Sequence, residues 1–201
     1  QETWPEAPLR PTTVSKEVFY KIAYADNPNG WLALVRPRYR SLSDLKTKTD
    51  PLILVLEAVE KPGNLGAMLR TAYAAKVDAV ILNNLQTDLY NPNVIKASSG
   101  HVFSDQVVLA DQKDTLDWLK SKNIKIFATN IKAAKKYTDI NWTQAAALVM
   151  GTEATGLSDF WINNADENII IPMQAGIDSL NVSVSAGILI FEARRQRDLD
   201  K

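Results

Sequence analysis

From Pro51 to the C-terminus, short apolar runs alternate with segments of helical spacing. No other feature constrains the fold as much. Residues 52–56, 79–82, 107–109, 124–129, 145–150 and 168–171 each have the length and side chains of a short strand. Residues 65–76, 114–120 and a stretch opening at Ser158 have helical spacing, with Leu116 and Leu119 on one side of the second. Strands that alternate with helices imply an α/β fold: a mostly parallel sheet with helices on both faces.

The first 50 residues break this pattern. Pro5, Pro8 and Pro11 punctuate the start, and Thr12, Thr13 and Ser15 offer N-cap chemistry for a short helix reaching about Tyr24. Asn27-Pro28-Asn29-Gly30 spells a turn, and residues 31–35 a short strand ended by Pro37. One helix and one strand cannot close a core. Residues 1–50 are therefore expected to be the tail of a preceding small domain, or a packed arm, with a linker at about 41–50. Residues 51–201 form the main domain. The chain opens with Gln1 rather than Met, so an upstream piece is expected.

Composition excludes several chemistries. Of 201 residues none is cysteine, which removes disulfides, zinc–thiolate sites and thiol nucleophiles and fits a reducing, cytoplasmic compartment. The lone histidine, His101, argues against a His-rich metal site or a Ser-His-Asp triad. No apolar segment is long enough to span a bilayer. Formal net charge is zero, without the overall basic footprint usual in nucleic-acid binders. The cations nevertheless cluster: Arg36, Arg38 and Arg40; Lys132, Lys135 and Lys136; Arg194, Arg195 and Arg197. Each cluster is either a solvated face, a complement to a helix C-terminus, or a phosphate contact.

The stretch SLNVSVSAGILIF, residues 179–191, reads both as a strand and as a helix. Its length favours a helix capped by Ser179, and Arg194, Arg195 and Arg197 suit the C-terminal end. Apolar side chains then occur all round, so the helix must be buried on more than one side. It is either a central core helix of a monomer or a helix shared with a second subunit.

Three segments have the look of a site. In LEAVEKPGNLGAMLRTA a strand leads through Asn64, a candidate N-cap, into a helix carrying Arg70. Arg70 is either a solvent-exposed cation or one held over a phosphate at the sheet's edge. Neither a Walker A loop nor a GxGxxG fingerprint is present. In ALVMGTEATGLS a buried strand ends at Gly151, followed by Glu153 and Gly156, where open α/β sheets bind ligands. In IIIPMQAGIDSLNVSVSAG a strand and a proline stop lead to Asp178, Ser179 and Asn181 at a helix entrance.

In this order and spacing, the three segments closely resemble motifs 1, 2 and 3 of the SPOUT superfamily of RNA methyltransferases, SpoU/TrmH class. The resemblance covers about residues 51–197, and KASSGHVF (96–103) is similar to that family's helix after the second strand. It implies a C-terminal trefoil knot, one of the known exceptions to unknotted topology. It also implies transfer of a methyl group from S-adenosylmethionine to a ribose 2′-OH of ribosomal or transfer RNA, without a metal. The implied catalytic residues are Asn64, Arg70, Glu153, Ser179 and Asn181. Thr129, Asn130, Gly151, Glu153, Gly156, Ile171, Met173 and Leu180 are the implied cofactor contacts. Family resemblance further implies a homodimer through the last helix and an N-terminal RNA-binding domain, of which residues 14–35 look like the end. A knotted RNA-binding module without activity and a base methyltransferase of a related branch are the alternatives.

Overall fold

The structure, a computed structural model, describes residues 11–24, 28–152, 155–176 and 179–199; Glu153 and Asp178 lie outside them. It divides into two compact units, residues 1–37 and 38–201. In the first, helix α1 (Lys16–Ile22) is capped by Ser15, whose hydroxyl accepts from the Val18 amide. The strand expected at 31–35 is not formed. These residues lack a pairing neighbour among the described residues, and Trp31 and Leu34 are 78% and 97% exposed. A short apolar run is insufficient to make a strand without an edge to pair with.

The second unit is built on a sheet of strands β1 (Leu52–Glu57), β2 (Ala79–Asn83), β3 (Val107–Ala110), β4 (Lys125–Thr129), β5 (Lys135–Lys136), β6 (Ala146–Met150) and β7 (Glu167–Ile170). Their order is β3-β2-β1-β6-β4-β7-β5, and every pairing is parallel. The connecting helices are α2 (Pro62–Ala74), α3 (Pro92–Ala97), α4 (Gln112–Ser121), α5 (Asp159–Asn164) and α6 (Val182–Leu199).

Strand β1 shows why the sheet is covered on both sides. All six residues are buried, and successive side chains point to opposite faces. Leu52, Leu54 and Leu56 join Leu65, Met68 and Leu69 of α2, Val94 of α3, and Ala186, Leu189 and Ile190 of α6. Ile53 and Val55 join Leu116 and Leu119 of α4 and Trp161 of α5.

The stretch 179–191 resolves as helix from Val182 onward. Ser179 is not its cap. Asn181 is: its Oδ1 accepts from the Ser183 amide at 3.0 Å, and its carbonyl receives the Ser185 amide. The helix buries Val182, Ala186, Leu189, Ile190 and Ala193, while Val184 and Phe191 are each 51% exposed. Its far end is anchored by Arg197, which donates to the carbonyls of Asp50 (2.7 Å), Pro51 (3.3 Å) and Gln144 (2.6 Å). Burial lowers the pKa of this guanidinium from its usual value. Gln196 beside it accepts from the Trp142 amide and donates to the Ile140 carbonyl. So this end of the cationic cluster is a main-chain clamp rather than a solvated face.

Candidate active site

The order in which strands are added reverses between β1 and β6. From β1 the chain proceeds to β2 on one side, and from β6 it proceeds to β7 on the other. A crevice outside the carboxyl ends of such strands is where open α/β sheets place ligands. The three conspicuous segments all leave the sheet at this edge: α2 follows β1, Gly151 to Ser158 follows β6, and the stretch ahead of α6 follows β7.

The second and third, with the turn after β4, surround a cavity of about 630 Å³. Thr129, Asn130, Gly151, Gly156, Ile171, Met173, Ser179 and Leu180 all line it. Its volume lies within the roughly 300–1,000 Å³ usual for small-molecule sites. Local bonding explains the wall's shape. The Thr129 hydroxyl donates to the Val149 carbonyl at 3.2 Å, and the Asn130 amide to the Ile169 carbonyl at 2.9 Å. Asn130 Oδ1 turns back to accept from the Lys132 amide. After β6, the amides and carbonyls of Thr152 and Gly156 bond reciprocally at 3.1 Å. This narrow loop requires glycine at position 151, because a Cβ there would lie 2.2 Å from the Gly156 carbonyl oxygen.

Asn64 and Arg70 take different places. Helix α2 begins at Pro62, so Asn64 lies inside the first turn and does not cap it; Lys61 holds the cap position. Proline at the first helical position fixes the start three residues earlier than an asparagine cap at position 64 would. Asn64 lines a smaller cavity of about 70 Å³, which shares Gly151, Thr152 and Val182 with the larger one. Its Oδ1 accepts from Asn181 Nδ2 at 3.3 Å. Arg70 lines neither cavity; it is exposed further along α2 and forms no ion pair among the described residues.

Sequence reasoning missed several wall residues. Lys132, Thr152, Thr155, Leu157 and Asp159 also line the cavity. Thr152, Thr155 and Leu157 lie within the second segment without a distinctive side chain, and Lys132 was visible only as part of a cationic cluster. Also unforeseen was Glu57, the last residue of β1, which is buried at 5% exposure. Ser158 sits at the N-cap position of α5 as expected, but its hydroxyl does not cap the helix. It donates to Glu57 Oε1 at 2.6 Å, and its amide donates to Oε2 at 2.8 Å. Among the described residues no group of three or more His, Asp or Glu could hold a metal ion, and no helix is long and apolar enough to cross a membrane.

Residues 51–191 match the SpoU rRNA Methylase family. The chain belongs to this family. Among SpoU relatives, it is 30% identical over 181 residues to the 23S rRNA (guanosine(2553)-2'-O)-methyltransferase RlmP of Bacillus subtilis, covering 90% of this chain and 71% of the relative. A solved RNA 2'-O ribose methyltransferase shares 44% identity with a TM-score of 0.79, covering 91% of this chain and 70% of that one. An AdoMet-bound rRNA methyltransferase from Sinorhizobium meliloti shares 31% identity with a TM-score of 0.84, over 90% of this chain and 70% of that one. The SpoU segment therefore includes the whole sheet and all three motif segments, and the α/β fold is the one these structures share.

Proposed function

We propose that this SpoU family member methylates ribose 2′-hydroxyls of RNA, using S-adenosylmethionine as methyl donor. One observation carries the reading: the segments that follow β6 and β7 converge at one edge of the sheet around one cavity, and Asn64 of the first segment lines a smaller cavity that shares its wall. The residues there suit the cofactor. Ile171, Met173, Leu157 and Leu180 offer apolar surface, while Gly151 lets the backbone come close. Thr129, Asn130, Gly151, Glu153, Gly156, Ile171, Met173 and Leu180 are the proposed contacts. When bound, S-adenosylmethionine supplies a methyl group already activated on a sulfonium.

The chain's own task is then positioning and charge. Placing a 2′-oxygen in line with the reacting methyl supplies about 7–11 kcal/mol in favourable cases. We assign Arg70 to the RNA phosphate beside that ribose, where it orients the sugar and stabilises the oxygen as it loses its proton. Arginine stays protonated in proteins, so a clamp is physically easier than a base. Asn64 and Asn181, joined by their side chains, brace the two helix starts next to the cavity. Ser179 lines the cavity itself, and we assign Glu153 to holding Asn64 or Arg70 in place.

Several finer features belong to the same reading. The order β6-β4-β7 is compatible with a C-terminal trefoil knot, in which the stretch before α6 is threaded. Val184, Ile188 and Phe191 follow one another on one side of α6 and leave apolar surface that a second copy would cover as a homodimer. Residues 1–50 act as part of an N-terminal RNA-binding region, with Arg36, Arg38 and Arg40 meeting phosphates. We take the substrate to be ribosomal RNA, on which the Bacillus subtilis and Sinorhizobium meliloti relatives act, and the compartment to be the cytoplasm.

Replacing Arg70 tests the assignment. Arg70→Ala should lower single-turnover methyl transfer by more than about a hundredfold while leaving S-adenosylmethionine affinity unchanged. Loss of cofactor binding as well would give Arg70 a structural role instead.

A further inference from the structure

We infer that Glu57 is a positioning residue for the cofactor pocket, acting through Ser158. This rests on the cavity being the S-adenosylmethionine site. Leu56 pairs with Met150 in register, so Glu57 stands level with Gly151 at the sheet's edge. From Gly151 the chain narrows through the Thr152–Gly156 bridge, lines the cavity with Gly156 and Leu157, and then must be fastened. The fastening is Ser158: both carboxylate oxygens of Glu57 are used, one by the Ser158 amide at 2.8 Å and the other by its hydroxyl at 2.6 Å. These contacts join residues 101 positions apart.

Several observations make this more than a buried polar pair. Glu57 does not line the cavity, so it cannot itself touch the cofactor. Residues on either side of its partner do: Leu157 precedes Ser158, and Asp159 follows it. On its own strand, Glu57 is followed by Ala58, held at φ 53°, a left-handed backbone that turns the chain toward α2. The Ala58 amide is fixed by the Asn83 carbonyl at 2.9 Å. One carboxylate thus sits where the chain departs for Asn64 and Arg70 and holds the wall on the cofactor's side. Cutting it would leave the Ser158 amide and hydroxyl without their carboxylate acceptor, and Gly156 and Leu157 would lose their fixed place. Loosening of that kind weakens cofactor binding without removing any group that acts on the ribose.

The chemistry predicts an unusual rescue. Glutamine at position 57 keeps both contacts, since its amide oxygen accepts from the Ser158 amide and its NH₂ donates to the Ser158 hydroxyl oxygen. Alanine keeps neither. The experiment measures S-adenosylmethionine affinity by calorimetry, and kcat and KM for S-adenosylmethionine, in the wild type and in Glu57→Ala, Glu57→Gln and Ser158→Ala. Glu57→Ala should weaken affinity and raise KM by about tenfold or more, with kcat at saturating cofactor within about twofold of wild type. Glu57→Gln should return affinity to within about threefold, and Ser158→Ala, which keeps the amide contact, should fall between wild type and Glu57→Ala. Adding Ser158→Ala to Glu57→Ala should cost nothing further. If Glu57→Ala does not fold, the Gln and Ser158→Ala variants decide the matter alone. Unchanged affinity in Glu57→Ala or Ser158→Ala, or a glutamine variant as weak as alanine, overturns the clamp. Wild-type protein that binds no S-adenosylmethionine overturns the underlying reading, and the clamp with it.

Discussion

The side-chain amide of Asn181 donates to the side-chain oxygen of Asn64 at 3.3 Å, joining residues 117 positions apart in the chain. Asn181 Oδ1 at the same time accepts from the amide and the hydroxyl of Ser183, so one side chain caps α6 and bridges to the first turn of α2. Loss of Asn181 should therefore be felt twice. Asn181→Ala should cost about 1 kcal/mol of stability as a lost cap, read by urea unfolding. Single-turnover methyl transfer should fall by at least about tenfold, and Asn64→Ala should fall similarly. Because the two act as one unit, the double variant should be no slower than the poorer single. Additive losses would mean that the residues act separately.

Gly151 allows no side chain. An alanine Cβ would lie 2.2 Å from the Gly156 carbonyl oxygen and 2.3 Å from its carbon. Both are backbone atoms, so the narrow loop beside the cavity would have to open. Gly151→Ala should abolish measurable S-adenosylmethionine binding in calorimetry while the protein keeps its far-UV circular dichroism. Retained affinity would show that the loop does not shape the pocket.

Arg197 holds the last helix to the beginning of β1 and to the residue run before β6 by three main-chain carbonyls. Arg197→Met should lower stability by about 2–4 kcal/mol, seen as a lower urea midpoint at unchanged slope. Lysine lacks the planar fork that reaches several carbonyls and should recover little. Arg195, two residues earlier, is exposed and pairs only with Glu192 within its own helix, so Arg195→Ala should leave the midpoint unchanged. Equal losses at the two positions would contradict the clamp.

The architecture was legible because its strands are interior and parallel. Residues buried on both faces read as continuous apolar runs, as in Leu52 to Leu56, and each such run from Leu52 onward became a strand. Strand β5 was not, since it consists of two exposed lysines that pair only because β7 lies alongside. Helix starts were legible to within a few residues. Ser179 and Asn64 carry good capping side chains, yet Asn181 and Lys61 occupy those places, since backbone geometry and Pro62 decide where a helix begins. Around the cavity, residues with distinctive side chains or glycines in the three segments were visible in advance. Glu57 was not: it closes an apolar run and looks like an ordinary polar strand end. Only its partner, brought across from the end of the neighbouring strand, reveals why an acid is there.

The central claim is that this edge of the sheet delivers a methyl group from S-adenosylmethionine to a ribose oxygen. The most direct measurement incubates the protein with methyl-labelled S-adenosylmethionine and unmodified ribosomal RNA, digests the RNA to nucleosides, and locates the label by mass spectrometry. The account predicts one labelled 2′-O-methylnucleoside, absent when Arg70→Ala replaces the wild type. Label on a base, or none in RNA despite bound cofactor, would contradict it.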